Sequence, residues 1–334
     1  MRAWWVAAAL AGVVCGAGAQ DVQAAQEGAV AVARSEDVRE QAWQAYVARV
    51  ARTLGRSQDA RELAFATILG QMPDGRMPQE QAVPDQVMAW RQAALERAGG
   101  DRLAYQLLID ARPVPGNVVR GIAIDRWRAL EPWNLAPLLY QALPAEQLMQ
   151  AQRSATHTRM YWYDSLRWMH AALLRQPPTE AESRAFQPEG ALDAEELAAS
   201  TAAGIWAATM MPRYGVLLTA CKLPALRETP ERLADCRHAA DVLTTHPSIV
   251  LEQMVGLALL REMAGDGEER ASLQARRRRV QWQMHQFARL SVNDRAAPLM
   301  RQLADPSIQT EQQLLERTLL QAGLPLDPPP DWVP

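Results

Sequence analysis

The chain has 334 residues, 49% of them hydrophobic and 22% charged, with a formal net charge of −3. These proportions exclude general disorder, a collagen-like repeat and a small disulfide-stapled scaffold. No global charge draws the chain to nucleic acid, and its length is enough for about two domains.

The N-terminus begins Met-Arg-Ala-Trp-Trp, continues as an apolar run from Val6 to Val14, and ends in small residues through Ala17-Gly18-Ala19. A positive start, a short apolar core and an A-x-A site predict a secretory signal peptide over residues 1–19, cut between Ala19 and Gln20. The mature protein is then expected in the periplasm or secreted. Two alternatives stay open: an uncleaved anchor, and lipidation at Cys15, where Val14 stands in place of the usual small residue. No later stretch has the 18 uncharged apolar residues of a membrane span, so contact with a membrane is allowed but integration is not expected.

Nearly all of the rest has helical periodicity. Helices are predicted from Ser35 to Leu54, from Ser57 to about Gly70, and from Pro84 to about Arg97. Between them, residues 72–83 carry Pro-Asp-Gly and a second proline and form a loop. Further helices are expected at 102–111, 117–130, 135–143, 145–155 and 158–175. From Gln176 to Leu192 proline, glycine and glutamate cluster, so 177–192 is taken as a linker between an N-terminal lobe, 20–176, and a C-terminal lobe, 193–323. Within it, Thr179-x-x-Glu182 is a capping-box pattern. The second lobe has helices at 193–211, 213–220, 230–245, 248–264, 267–290, 294–304 and 310–322. A Pro-rich tail, 324–334, is extended chain that either stays loose or folds back through Trp332. No segment alternates as a strand does, so the fold class is all-α.

Trp90-Arg91-Gln92-Ala93-Ala94-Leu95-Glu96 is followed by Leu103-Ala104-Tyr105, and Trp127-Arg128-Ala129-Leu130-Glu131 by Leu135-Ala136 and Tyr140. The tryptophans are 37 residues apart and the tyrosines 35. In these residues the chain resembles tetratricopeptide and Sel1-like repeats over about 35–145. The resemblance implies an irregular α-solenoid of antiparallel hairpins, built to bind peptides or proteins rather than to catalyse. The full repeat consensus is not met in any one unit.

Past the leader only Cys221 and Cys236 remain. In an oxidising compartment an even pair points to one disulfide, with two buried thiols as the alternative. Thr229-Pro230 reads as an N-cap with proline at the first helical position, so the bridge would tie a helical hairpin near its middle.

The five histidines make no H-E-x-x-H or similar metal spacing, and there is no phosphate loop or G-x-S-x-G. No catalytic residue, cofactor or metal ligand set is assigned. The candidate binding groove is the aromatic helix with Tyr161, Trp162, Tyr163, Arg167, Trp168 and His170, in which Asp164 and Arg167 stand at pairing distance. Core packing is the competing reading of the same residues. Arg276, Arg277, Arg278 and Arg279 form the sharpest charge run, either a patch for an anionic partner or a solvated helix. The expected function is an exported helical scaffold or peptide-binding protein whose partner is another envelope protein. Its alternatives are an envelope hydrolase or transferase with dispersed catalytic residues, and a small-ligand or metal binder.

Overall fold

The computed structural model describes residues 19–72, 82–141, 143–187, 192–209, 211–265, 267–291 and 296–334, with side chains from residue 36 onward. The expected leader and Cys15 lie outside the described residues; of the cleavage pair Ala19–Gln20 only the backbone is described, and it opens the first helix.

The described residues form α-helices and no strand, so the chain is all-α. In order these are α1 (Ala19–Leu54), α2 (Ala60–Gly70), α3 (Asp85–Arg97), α4 (Arg102–Asp110), α5 (Val119–Leu130), α6 (Leu135–Tyr140), α7 (Ala145–Ala151), α8 (Trp162–Leu174) and α9 (Glu180–Phe186). They continue as α10 (Ala194–Ala207), α11 (Tyr214–Ala220), α12 (Leu223–Glu228), α13 (Arg232–Thr245), α14 (Val250–Met263), α15 (Glu268–Ser291), α16 (Ala296–Leu303) and α17 (Glu311–Gln321). Among the described residues no helix is long and apolar enough to cross a membrane.

Short polar side chains set most of the starts. Asp59, Asp101, Asn134 and Asp193 accept backbone N–H groups at the first turns of α2, α4, α6 and α10, which satisfies donors the helix itself leaves open. Thr179 with Glu182, and Thr310 with Gln313, complete capping boxes at α9 and α17. Several boundaries differ from expectation: α2 is capped by Asp59 and not Ser57, and α10 ends at Ala207 and not 211. α1 runs through Ser35 because the alanine-rich stretch before it is itself a strong helix former. α6 stops at Tyr140. α12 is an additional helix, with Pro224 in its first turn. Residues 158–160 are not helical, because Leu135 N–H bonds His157 C=O and the Asn134 carboxamide grips Arg159, holding that stretch extended beside Asn134.

The chain divides into two compact units. The smaller contains the described residues up to Tyr46 together with α9, and in it the rings of Trp43, Tyr46 and Phe186 pack with centroids 5.4–5.7 Å apart. Residues 177–192, read from sequence as a linker, thus supply α9 to this unit. Val47–Pro177 and Leu192–Pro334 together form the larger unit.

In the larger unit α2 packs on α3 and α4, α4 on α5, and α5 on α6. Trp90 on α3 and Trp127 on α5 are both buried, and Tyr105 and Tyr140 are buried on the second helix of each hairpin. The cap residues Asp101 and Asn134 repeat at similar spacing. A core of Leu135, Leu139, Leu217, Leu243 and Leu259 joins α6 to α11, α13 and α14. Each such leucine contributes about 1.5–3 kcal/mol by leaving water. Helices α13 and α14 approach most closely at Gly256, where a Cβ would stand 2.6 Å from Thr244 Cγ2 and 2.9 Å from the Ala240 carbonyl oxygen. A second cluster, with Leu257, Leu273, Val280 and Leu315, binds α14 to α15 and α17.

Cys221 and Cys236 form the disulfide, with Cα atoms 5.6 Å apart. Its setting differs from expectation. Thr229 closes α12 instead of capping the next helix, and α13 begins at Arg232. The bridge therefore runs from the end of α11 to the second turn of α13, across an intervening helix. The tail 324–334 lies against α15, with Trp332 folded back onto Trp282.

Candidate functional site: an arginine and aromatic cavity

Asn134 organises the site. Its Oδ1 caps α6 and accepts the Arg159 N–H, while its Nδ2 donates to the Arg159 carbonyl and to Glu131 Oε2. Residue 161 then turns the chain into α8. Tyr161 has φ 51°, the only positive value at a non-glycine among the described residues. A tyrosine in this region is strained by about 1–3 kcal/mol. It is held there on several sides. Its hydroxyl donates to Glu131 Oε1 at 2.5 Å, its ring lies 6.1 Å from Trp127, and the Arg159 guanidinium stands 4.6 Å from its centroid. Burial alone would raise the Glu131 carboxyl, but donors from Tyr161, Asn134 and Trp127, with the Arg102 charge, outweigh it and hold the group below its usual value. Burial and the bond to Glu131 push the Tyr161 phenol up, so it stays a donor.

From Tyr161 onward, the i, i+3 and i+4 spacing of a helix puts Asp164, Arg167 and Trp168 on one side. Arg167 pairs with Asp164 at 2.6 Å and also donates to the Leu303 and Ile308 carbonyls. Arg159 reaches the other Asp164 oxygen at 3.6 Å. Across from them Arg61 at the start of α2 pairs with the cap Asp101 at 2.6 Å, and Arg102 at the start of α4 pairs with Glu131 at 2.9 Å. Trp168 closes the wall, edge-on to Phe65 at 5.8 Å.

These groups line an open cavity of about 760 Å³. Four arginines face it, against the carboxylates of Asp101 and Asp164 with Glu131 behind, so positive charge is in excess. Guanidinium forks match carboxylates and phosphates in a planar, bidentate way, and the tyrosine and tryptophan faces add flat apolar contact. Because each arginine already has a carboxylate or carbonyl partner, little side-chain freedom remains to be lost on binding.

The expected groove residues divide. Tyr161, Arg167 and Trp168 line the cavity. Trp162 points away and packs on Trp206 at 5.4 Å, and Tyr163 is buried beside the same ring. His170 sits near Glu195; burial lowers its pKa, and Glu195 offsets part of that. Arg61, Asp101 and Arg102 were not anticipated, because they come from other segments and carry no common local pattern, and Arg159 was missed because its stretch was read as part of the helix that begins only at Trp162. Marking the stripe on which Tyr161 falls would have separated Asp164, Arg167 and Trp168, which line the cavity, from Trp162, Tyr163 and His170, which do not. Of the arginine run, Arg276 is exposed and Arg277 half-buried, whereas Arg278 grips tail carbonyls and Arg279 stands 3.4 Å from Asp327. Among the described residues no group of three or more histidine, cysteine or acidic side chains is placed to hold a metal ion.

No family model matches the chain, and no curated protein or solved structure does.

Proposed function

We propose that this is an exported, non-catalytic helical recognition protein of the cell envelope, whose cavity at α2, α4 and α8 takes an acidic segment of another envelope protein or peptide. The observation that carries the reading is the convergence of Arg61, Arg102, Arg159 and Arg167 with Tyr161 and Trp168 around one open cavity. The residues are pre-positioned for an anion next to an apolar group. Export is supported by the leader-like N-terminus and by a disulfide of the kind that persists in oxidising compartments. The recurrence of Trp, a polar cap and Tyr in the hairpins α3–α4 and α5–α6 supports the tetratricopeptide-like resemblance.

The test is photo-cross-linking in the native envelope from a probe at Leu103, which lines the cavity, in the wild-type chain and in Arg102→Glu/Arg159→Glu. These two arginines are the more exposed of the four; because they also pair with Glu131 and Asp164, Arg102→Gln/Arg159→Gln is made alongside as a milder variant that must lose the partner too. The reading expects a discrete cross-linked partner that the double variant loses while its circular dichroism is unchanged. A partner retained by the folded double variant overturns it.

A further inference from the structure

The tail and α15 meet in a way that packing does not require. Pro325, Asp327, Pro329, Pro330 and Val333 are exposed, and no tail residue enters the core cluster of α14, α15 and α17. What α15 offers instead is a row of donors and a ring. Trp282 Nε1 donates to the Pro325 carbonyl at 2.9 Å and Gln283 Nε2 to the Leu326 carbonyl at 3.0 Å. The Arg278 guanidinium donates to the carbonyls of Pro329, Pro330 and Trp332. Trp332 lies edge-on to Trp282 at 5.4 Å, with His285 at 6.3 Å, and Arg279 faces Asp327 at 3.4 Å.

A proline-rich segment has few N–H groups to satisfy its carbonyls and is stiff, so it loses little entropy on docking; here the Trp332 N–H closes a turn on the Pro329 carbonyl at 3.1 Å. An aromatic shelf flanked by side-chain donors is how such strands are recognised. We propose that the α15 face from Arg278 to His285 is a recognition site for an extended proline-rich segment with a tryptophan near its end, supplied by a partner protein, and that the chain's own tail is the resident occupant held in cis. Most of the bonds go to backbone carbonyls, so a partner segment needs only the same backbone path with its turn before the tryptophan, the tryptophan itself and an acid for Arg279. Gly323, at φ 69°, ends α17 and turns the chain into the tail.

The experiment uses a fluorescent peptide of residues 324–334 added in trans to the full-length chain, followed by anisotropy. Trp332→Ala removes the ring that anchors the cis tail. This variant should bind the peptide, and wild type should bind it roughly 100-fold more weakly, because a tethered tail competes at an effective concentration on the order of millimolar. Adding Arg278→Ala to Trp332→Ala should weaken binding by about tenfold or more, the loss of a hydrogen-bonded charged donor. Three results overturn the proposal. Trp332→Ala that is folded by circular dichroism yet fails to bind shows there is no site. Trp332→Ala that unfolds shows the tail to be a structural strap. A dimer of the wild-type chain that dissociates on Trp282→Ala shows the occupant to be a second copy's tail and not a partner's.

Discussion

Glu252 gives the most direct test of the packing. Its side chain is 0% exposed. Oε2 accepts from Thr158 Oγ1 and Ser248 N–H, each at 2.7 Å, and Oε1 from the Tyr214 hydroxyl at 3.4 Å. Burial pushes the carboxyl from its ordinary 4.5 up to about 7, against the pull of those donors. The folded state therefore keeps a proton that the unfolded chain has lost. Stability from this group is complete below pH 4.5 and is lost as pH rises through about 7. The rise is worth about 3 kcal/mol at about 1.4 kcal/mol per pH unit. Glu252→Gln is neutral throughout and keeps an oxygen for Ser248 and Thr158. Urea unfolding of both proteins, at pH 4.5 and pH 8 with the disulfide intact, measures the difference. The variant should gain about 3 kcal/mol relative to wild type between the two pH values. Groups common to both proteins cancel, including Asp305, which Ser307 and Arg317 hold down to about 2. An unchanged difference between the two pH values would refute the reasoning.

Two further expectations concern the frame. Reducing the Cys221–Cys236 bridge, which closes a span of 15 residues, should cost about 3 kcal/mol by the chain-entropy argument. Equal urea midpoints with and without reductant would deny it that role. Gly256→Ala should destabilise by about 1–3 kcal/mol, since the added methyl meets Thr244 and a backbone carbonyl. Gly204→Ala, on a helix with nothing within 4 Å of the new methyl, should stabilise by about 0.5–1 kcal/mol. Thermal melts of the pair showing the same sign would contradict the close approach of α13 and α14.

The helices were legible because their signals are local: caps such as Asp101 and Thr179, and stops such as Gly323, act within a turn of themselves, although at α2 the cap is Asp59 and not Ser57. The extended stretch before α8 was not legible. Thr158–Met160 looks helical in composition, and what straightens it is Asn134 and Ser248, 25 and 88 residues away. The same limit applies to the cavity. The aromatic helix was recognisable, but which of its rings face inward depends on α8 starting at Trp162, a boundary set by those distant bonds. Arg61 and Arg102 are unremarkable in sequence and gain meaning only where α2 and α4 bring them opposite Asp164 and Arg167. The tail showed the reverse: Trp332 stood out as a residue able to fold back, but its dock on Trp282 had no local mark.

The reach of Arg167 has a consequence for the order of events in synthesis. The hairpins from α2 to α6 contact mainly their neighbours in sequence, so they can form while the chain is still emerging. Arg167 cannot be seated then, because the carbonyls it holds, Leu303 and Ile308, lie 136 and 141 residues further on. The cavity is thus finished only after α16 and Ile308 have been made, and a chain stalled before α16 carries Arg167 without the carbonyls that aim it.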